Sequence, residues 1–193
     1  MKKLIFYIFL FFFCAANVFA TEPVVQDVSG HKYMPAVGQA ISQARESIYM
    51  AMYIISLSPG DKNTPVSRLV DELVRARERG VEVKVILDQN IDFVRTQFGI
   101  KKEVQTKSSW AFKRLKEAGA EVYYDEPARY AHAKVIVIDS ETVILGSANW
   151  TDSALTSSIE ANVLIRDKGL ARELVAYLDS IKLDEEQVSY FEA

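Results

Sequence analysis

The sequence predicts a single α/β domain in which a mixed β-sheet lies between helices on both faces. Short apolar runs alternate along the chain with segments whose apolar residues recur every three or four positions, the patterns of strands and of amphipathic helices. Strands that alternate with helices favour a sheet covered on both faces. A length of 193 residues also suits one domain. We therefore expect that domain to occupy residues 21–183.

The N-terminal segment has the pattern of a secretory signal peptide. Two lysines follow Met1, an apolar run covers residues 4–16, and Ala20 ends the segment at a position where a signal peptidase prefers small residues. The run is shorter than the roughly 20 residues of a membrane-spanning helix. The sequence thus predicts a signal peptide over residues 1–20 and a periplasmic or secreted protein. An uncleaved segment that anchors the protein to a membrane is the alternative.

Cleavage after residue 20 would change the composition of the remaining chain. It removes Lys2, Lys3 and the only cysteine, Cys14, so the formal net charge changes from −3 to −5. The mature chain could then form neither an internal disulfide nor a cysteine-based zinc site. Export without disulfides is compatible with a bacterial periplasm.

The first elements of the domain are predicted from apolar runs. Residues 23–31 are expected to contain a short strand and a turn, and residues 35–46 have the apolar spacing of a helix. Residues 47–56 form an almost unbroken apolar run, which is typical of a buried central strand. Tyr53, within that run, is interpreted as a core residue.

The second unit is a helix followed by a strand. Pro65 suits the first turn of a helix capped by Thr64, and this helix is expected to end near Gly80. A strand over residues 81–87 follows and is closed by Asp88.

A long polar connection separates this strand from the next helix. Residues 89–106 exceed the usual length of such connections, which is often a sign of a functional or mobile segment. The apolar spacing predicts a helix over residues 108–118, with Trp110, Leu115 and Ala118 turned inward. A strand over residues 120–124 and a loop then lead to the next element.

Residues 131–149 are predicted to form a β-hairpin. The two runs of β-branched and apolar residues, 135–138 and 142–145, are separated by a polar break. A two-residue turn at Ser140 and Glu141 would set the pairing of the strands. A shift of this pairing by one residue would turn the side chains of one strand to the other face.

With that turn, four polar side chains share one face at the open end of the hairpin. Because side chains alternate between faces along a strand, His132 lies opposite Asn149 and Lys134 lies opposite Ser147. Histidine can act as nucleophile or general acid–base near neutral pH. Lysine, serine and asparagine can stabilise a phosphate oxyanion. The pattern indicates phosphoryl chemistry, and a polar hairpin end that only contacts water is the alternative.

These residues resemble the HKD signature of the phospholipase D superfamily. Both halves of the signature and its spacer are matched without a gap, in the order His132-x-Lys134-x4-Asp139-x6-Gly146-Ser147-x-Asn149. The chain is also similar to the small bacterial endonucleases of that superfamily over most of residues 24–180. The resemblance implies a phospholipase D-like fold.

The resemblance further implies a two-step reaction through a phosphohistidine. One histidine attacks phosphorus, while a second protonates the leaving oxygen and then activates water. Lys134 and Asn149 would bind the phosphate oxygens with help from Ser147, and Glu160 would support His132. Because the motif occurs once, the mechanism implies a homodimer with a shared active site.

Asp139 and His31 are interpreted separately from the residues that share a face with His132. Asp139 belongs to the candidate catalytic set through the signature, but strand alternation places it on the other face from His132, which favours a structural role. His31, the other histidine, is interpreted as a solvated loop residue. No cofactor or metal is expected, because Lys134 would supply the positive charge and no acidic or histidine set has convincing ligand spacing.

The segment after the motif completes the predicted sheet. Asp152 is a candidate helix cap. The alternation of Ile159, Ala161, Val163 and Ile165 predicts a further strand, with Glu160 on the opposite face. Residues 169–183 have helical spacing. An acidic tail is expected over residues 184–193.

The favoured function is a secreted endonuclease that cleaves DNA, with RNA as a further substrate. A net charge near −5 argues against a broadly basic surface. Basic residues nevertheless concentrate in one third of the chain, where a substrate-binding rim is predicted from Lys101, Lys102, Lys107 and Arg129. A phospholipase D that acts on lipid headgroups is the alternative, although the mature chain shows no amphipathic helix with a basic and aromatic face. A non-catalytic protein that retains the fold is a third hypothesis.

Overall fold

The computed structural model describes residues 22–89, 108–126 and 128–184. The predicted signal peptide, most of the long connection after Asp88 and the acidic tail beyond Asp184 lie outside the described residues. The same is true of three predicted rim residues, Lys101, Lys102 and Lys107. No helix in the described ranges is long and apolar enough to cross a membrane.

The described ranges contain the predicted alternation of strands and helices. The strands are β1 (Val24–Asp27), β2 (Ser47–Met52), β3 (Glu82–Leu87), β4 (Glu121–Tyr124), β5 (Lys134–Ile138), β6 (Thr142–Gly146) and β7 (Asn162–Arg166). The helices are α1 (Tyr33–Gln43), α2 (Pro65–Glu78), α3 (Ser109–Glu117), α4 (Asp152–Thr156) and α5 (Lys168–Asp179), and a 3-10 turn (Gly30–Lys32) precedes α1.

These strands form one mixed sheet in the order β1-β7-β6-β5-β2-β3-β4. β2, β3 and β4 are parallel, and α2 and α3 lie in the connections between them. β5 pairs antiparallel with both β2 and β6, and β7 pairs antiparallel with β6 and β1. The hairpin that carries the signature therefore lies in the middle of the sheet. The predicted mixed sheet is confirmed.

An apolar core covers each face of this sheet. On one face, Val37 of α1 and Leu73 of α2 pack with Ile136 of β5. On the other face, Leu178 of α5 packs with Val137 of β5. Successive residues of β5 thus enter opposite cores, as strand alternation requires. The prediction of helices on both faces is confirmed.

Both ends of α2 lie where the sequence predicts them. Thr64 accepts a hydrogen bond from the Ser67 amide at 3.1 Å, and Pro65 occupies the first turn. Gly80 follows the helix with φ 91°, a conformation that glycine adopts without a steric cost.

Three local predictions are wrong. Trp110 is exposed rather than turned inward, because Ala111, Phe112 and Leu115 form the buried side of α3. Ile159 is fully exposed, since β7 begins only at Asn162. The cap of α4 is Thr151, whose hydroxyl accepts the Ala154 amide at 3.2 Å, rather than Asp152.

The predicted turn of the hairpin is also wrong by one residue. Ile138 pairs with Thr142, so the loop contains Asp139 in addition to Ser140 and Glu141. Asp139 and Ser140 have φ values of 52° and 50°, in the left-handed region that aspartate tolerates better than most residues. Regular pairing therefore does not place Ser147 opposite Lys134 or Asn149 opposite His132.

Candidate active site

The candidate site lies at the open end of the β5–β6 hairpin. His132 precedes β5 by two residues, and Lys134 is the first residue of that strand. The Tyr53 amide at the end of β2 donates to the Ala133 carbonyl at 2.9 Å, which ties the backbone beside His132 to the centre of the sheet. The His132 side chain is exposed, whereas Lys134 is half-buried. The imidazole is thus open to a substrate and the ammonium is sheltered behind it.

His132 and Lys134 are in direct contact. The Lys134 Nζ lies 3.1 Å from Nδ1 and 3.4 Å from Nε2 of His132, and it donates to the His132 carbonyl at 2.8 Å. Tyr53 packs against both side chains, with its ring centroid 4.3 Å from the imidazole and 4.8 Å from Nζ. An ammonium therefore lies immediately beside a candidate nucleophile.

Ser147 and Glu160 form the second part of the site. The Ser147 hydroxyl donates to the Glu160 carboxylate and accepts from the Ala161 amide, the latter at 3.0 Å. Burial lowers the pKa of Lys134 below its ordinary value, while the negative charges of Glu160 and Asp88 oppose this change. Four of the predicted residues thus form two contacting pairs, His132 with Lys134 and Ser147 with Glu160.

The close approach of β6 to β7 explains how Ser147 reaches Glu160. A Cβ atom on Gly146 would lie 2.2 Å from Asn162 Oδ1 and 2.4 Å from the Ala161 carbonyl. Only glycine leaves room for this approach. The Ser147 amide also donates to the Ala161 carbonyl at 3.0 Å. The glycine of the signature thus brings the serine against the segment that carries the glutamate.

Asn149 lies at the border between the site and the core. Its neighbours Ala148 and Trp150 are buried, and Asn149 itself is half-buried. Its buried Oδ1 has no hydrogen-bond partner within the described ranges. This oxygen can only accept a hydrogen bond, so the group that could donate to a phosphate oxygen is the Nδ2 amide. Its role in binding phosphate stays a prediction.

Asp139 lies at the opposite end of the hairpin. Its carboxylate accepts the amides of Arg45, Glu46 and Ser47 at 3.0, 2.8 and 3.0 Å. Roughly 20 Å of extended chain separates it from His132. The structure therefore does not bring Asp139 to the other candidate residues, and its contacts are those of a structural residue.

His31 lies at this second end as well. It is exposed in the 3-10 turn and lines a groove together with Asp139 and Arg166. The two histidines of the chain are thus at opposite ends of the hairpin.

Three residues that the sequence did not predict as part of the site lie along the same edge of the sheet as Lys134. Tyr53, Asp88 and Asp125 directly follow the parallel strands β2, β3 and β4. Burial and the negative charge of Asp88 raise the pKa of Tyr53. The signal that could have identified these residues is their position, because the carboxyl ends of neighbouring parallel strands meet at one edge.

The described part of the predicted basic rim is small. Arg129 is exposed three residues before His132. In α3, Arg114 forms an ion pair with Asp71, and Lys116 lies over the Tyr123 ring at 5.3 Å. Of the four predicted rim residues, Arg129 is the one that lies within the described ranges.

The described ranges contain no group of three or more histidine, cysteine, aspartate or glutamate side chains arranged to hold a metal ion. The Lys134 ammonium lies in contact with the imidazole of His132.

The fold and this constellation define the class of protein. A family model described as cardiolipin synthase, PLD-like domain, matches residues 37–182. The chain belongs to this family and thus to the phospholipase D superfamily of phosphodiesterases.

Individual relatives carry several names. The phospholipase D of Rickettsia prowazekii is 35% identical over 133 residues, which cover 69% of this chain and 54% of that protein. Cardiolipin synthase 2 of Staphylococcus epidermidis is 30% identical over 151 residues, which cover 77% of this chain and 27% of that protein. The chain thus spans about half the length, 54%, of the rickettsial relative.

Two solved structures are similar over almost their whole length. Nuc, a phospholipase D family member from Salmonella typhimurium, has a TM-score of 0.65 and 27% identity, with 83% of this chain and 94% of Nuc covered. NucT from Helicobacter pylori has a TM-score of 0.61 at 19% identity, with 83% of this chain and 96% of NucT covered, a likeness of fold.

Proposed function

We propose that the chain hydrolyses phosphodiesters of nucleic acid, with DNA as the first substrate and RNA as a further one, without a metal ion and through a phosphohistidine. The observation that carries this proposal is the contact between Lys134 Nζ and the exposed imidazole of His132, at 3.1 Å from Nδ1. A phosphate that meets the imidazole also meets the ammonium. The charge that develops on its oxygens can therefore be stabilised by a group already in place.

The proposed reaction has two steps. A neutral nitrogen of His132 attacks phosphorus, and the bond to the leaving oxygen breaks as that oxygen takes a proton from a second, protonated imidazole. The second imidazole, now neutral, takes a proton from water, and the hydroxide attacks the phosphohistidine to release His132. Lys134 has N–H groups beyond the one on the His132 carbonyl and can use them on the phosphate oxygens.

The second imidazole is proposed to be His132 of another copy of the chain. His31 cannot serve within the same copy, because it lies with Asp139 at the far end of the hairpin. The site also has exposed apolar neighbours, since Tyr130 is 57% and Ile159 is 103% exposed. A two-fold dimer that covers these side chains would bring both copies of His132 to one phosphate.

The choice of nucleic acid rests on the likeness to Nuc. That likeness covers 94% of Nuc, whereas the phospholipase D relative is matched over 54% of its length. A phospholipid headgroup is the second candidate. The 35% identity to a protein named phospholipase D favours it, and so does the exposed Ile159 beside Glu160.

A substrate panel with excess EDTA decides between them. Purified protein is incubated with plasmid DNA, with single-stranded RNA, and with phosphatidylcholine vesicles, and His132→Asn serves as the matched inactive control. We expect nicking or degradation of nucleic acid by the wild-type chain alone and no release of choline. Choline release with intact DNA would support the phospholipid substrate instead. Activity that disappears with EDTA and returns only with a divalent ion would contradict the mechanism.

Subunit mixing tests the shared site. Wild-type chains are unfolded and refolded with an excess of His132→Ala chains, so that most dimers contain one histidine of the pair. Activity per wild-type chain should then fall well below that of wild-type chains refolded alone. Full activity per wild-type chain in the mixture would show that each copy is self-sufficient.

A further inference from the structure

Two buried carboxyl groups beside the site take no part in the proposed steps. Asp88 follows β3 and Asp125 follows β4, and the pairing of Leu87 with Tyr124 places them side by side. Asp88 is 0% exposed and Asp125 is 2% exposed. The charge of Asp88 contributes to a raised pKa of Asp125, as expected for two carboxyl groups that share a buried site. Buried acids of this kind are uncommon unless they have a specific task.

Asp125 links this pair to the segment that carries His132. Its Oδ2 accepts the Ala131 amide at 2.6 Å, and its Oδ1 accepts the Gln89 amide at 3.1 Å. The Gln89 side chain in turn donates to the Asp125 carbonyl at 2.5 Å. One carboxyl group therefore joins the end of β3 to the residue immediately before the candidate nucleophile.

The backbone of His132 is thus anchored on both sides. Asp125 binds the amide of Ala131, which precedes it, and the Tyr53 amide binds the carbonyl of Ala133, which follows it. An in-line attack on phosphorus is sensitive to displacements of about 1 Å. Contacts on both sides restrict such displacements of the His132 backbone.

We propose that Asp125, paired with Asp88, is a positioning residue that fixes the backbone from which His132 reaches the phosphorus. The consequence for turnover rests on the proposed function, whereas the consequence for the backbone does not. Charged and titratable groups face the pair from two neighbouring elements, Lys134 at the start of β5 and Tyr53 at the end of β2.

The burial of Asp125 beside Asp88 should make the stability of the fold depend on pH. Burial, opposed by the hydrogen bonds from the Ala131 and Gln89 amides, and the charge of Asp88 together raise its pKa from 3.8 to about 6. The folded chain therefore binds more protons than the unfolded chain between those two values. The contribution of this group to stability is complete below pH 3.8 and is lost as the pH rises through 6.

Three variants test whether Asp125 positions His132 or only stabilises the fold. Asp125→Ala removes both acceptors. Asp125→Asn keeps one oxygen for the Ala131 amide and loses the acceptor for the Gln89 amide. Asp167→Ala is the matched control, because that carboxylate also accepts a backbone amide, from Leu170 at 2.8 Å, but lies at the other end of the sheet. If Asp125→Ala does not fold, Asp125→Ser replaces it.

Turnover of bis-p-nitrophenyl phosphate is measured where circular dichroism shows each variant folded. We expect kcat to fall about 10-fold or more in Asp125→Ala with KM unchanged. Asp125→Asn should remain within about 3-fold of wild type and lose the fall in stability between pH 4 and 6. Asp167→Ala should lower the melting temperature and leave kcat unchanged. Wild-type kcat in a folded Asp125→Ala protein would overturn the inference.

Amide exchange of Ala131, followed by NMR, tests the backbone contact without turnover. Exchange should accelerate in Asp125→Ala and stay at the wild-type rate in Asp125→Asn and Asp167→Ala. Unchanged exchange in Asp125→Ala would overturn the inference. A wild-type chain that hydrolyses no diester would overturn the proposed function, and the exchange result would then still decide whether Asp125 positions the His132 segment.

Discussion

The two ends of the β5–β6 hairpin carry residues of the same signature in opposite environments. At the open end, His132 and Lys134 contact each other, and the imidazole is exposed. At the turn end, the Asp139 carboxylate is occupied by three consecutive backbone amides, from Arg45 to Ser47. A carboxylate whose acceptors are occupied has little capacity for substrate, whereas an exposed imidazole beside an ammonium has much. One motif therefore combines a reactive part with a part that holds the hairpin in the sheet.

The largest effect on turnover is expected at the open end of the hairpin, from the substitution His132→Asn. Without a nucleophile, kcat on a small diester should fall on the order of 10³-fold or more. Stability should stay within about 0.5 kcal/mol, since the side chain is exposed. Steady-state kinetics and thermal unfolding check the two parts. Retained turnover would mean that another group attacks phosphorus.

Lys134→Met should lower activity without lowering the stability of the fold. Loss of the ammonium removes charge stabilisation of the phosphate, for which we expect a decrease in kcat of about 10²–10³-fold. Stability should not decrease, because burial already lowers the pKa of Lys134 and thus disfavours its charged form in the folded state. A melting temperature equal to or above that of wild type is the expected result. A large loss of stability would show that Lys134 mainly supports the fold.

Local signals were sufficient to predict much of this architecture. The cap at Thr64, the helix end at Gly80 and the alternation along β5 depend on residues that are close in sequence, and the structure confirms them. The polar residues before and after the hairpin were likewise predicted to converge, because the motif lies within one short stretch. His132 and Lys134 do contact each other.

Contacts between distant segments explain what the sequence did not predict. The loop begins at Asp139 because its carboxylate binds the amides of residues 45–47, more than 90 positions away in the chain. The observed register accordingly differs by one residue from the predicted one. Ser147 nevertheless reaches Glu160, because Gly146 allows β6 to approach β7. Tyr53 joins the site only because β2 lies beside β5.

Asp139→Ala should affect the turn end and leave the chemistry unchanged. The variant loses the carboxylate that binds three amides and places alanine at φ 52°, so the free energy of unfolding should fall by about 2–3 kcal/mol. At temperatures where the variant is folded, kcat should equal that of wild type. Asp139→Asn is the control, since asparagine keeps an acceptor and tolerates this φ, and its loss should be smaller. A folded Asp139→Ala protein without turnover would contradict the structural role.

The smallest effect is expected from a matched pair of exposed arginines at the two ends. Arg129 precedes His132 by three residues, and Arg166 lines the groove at the turn end with His31 and Asp139. If DNA crosses the open end, Arg129→Gln should weaken its binding a few-fold and reduce the slope of log affinity against log salt by about one. Arg166→Gln should leave both unchanged, and neither variant should alter turnover of bis-p-nitrophenyl phosphate, which has no extended backbone to bind. Fluorescence anisotropy with a labelled duplex between 50 and 200 mM salt measures both quantities. Equal losses in the two variants would mean that binding reports the overall charge of the chain rather than a path across His132, because each substitution removes one positive charge.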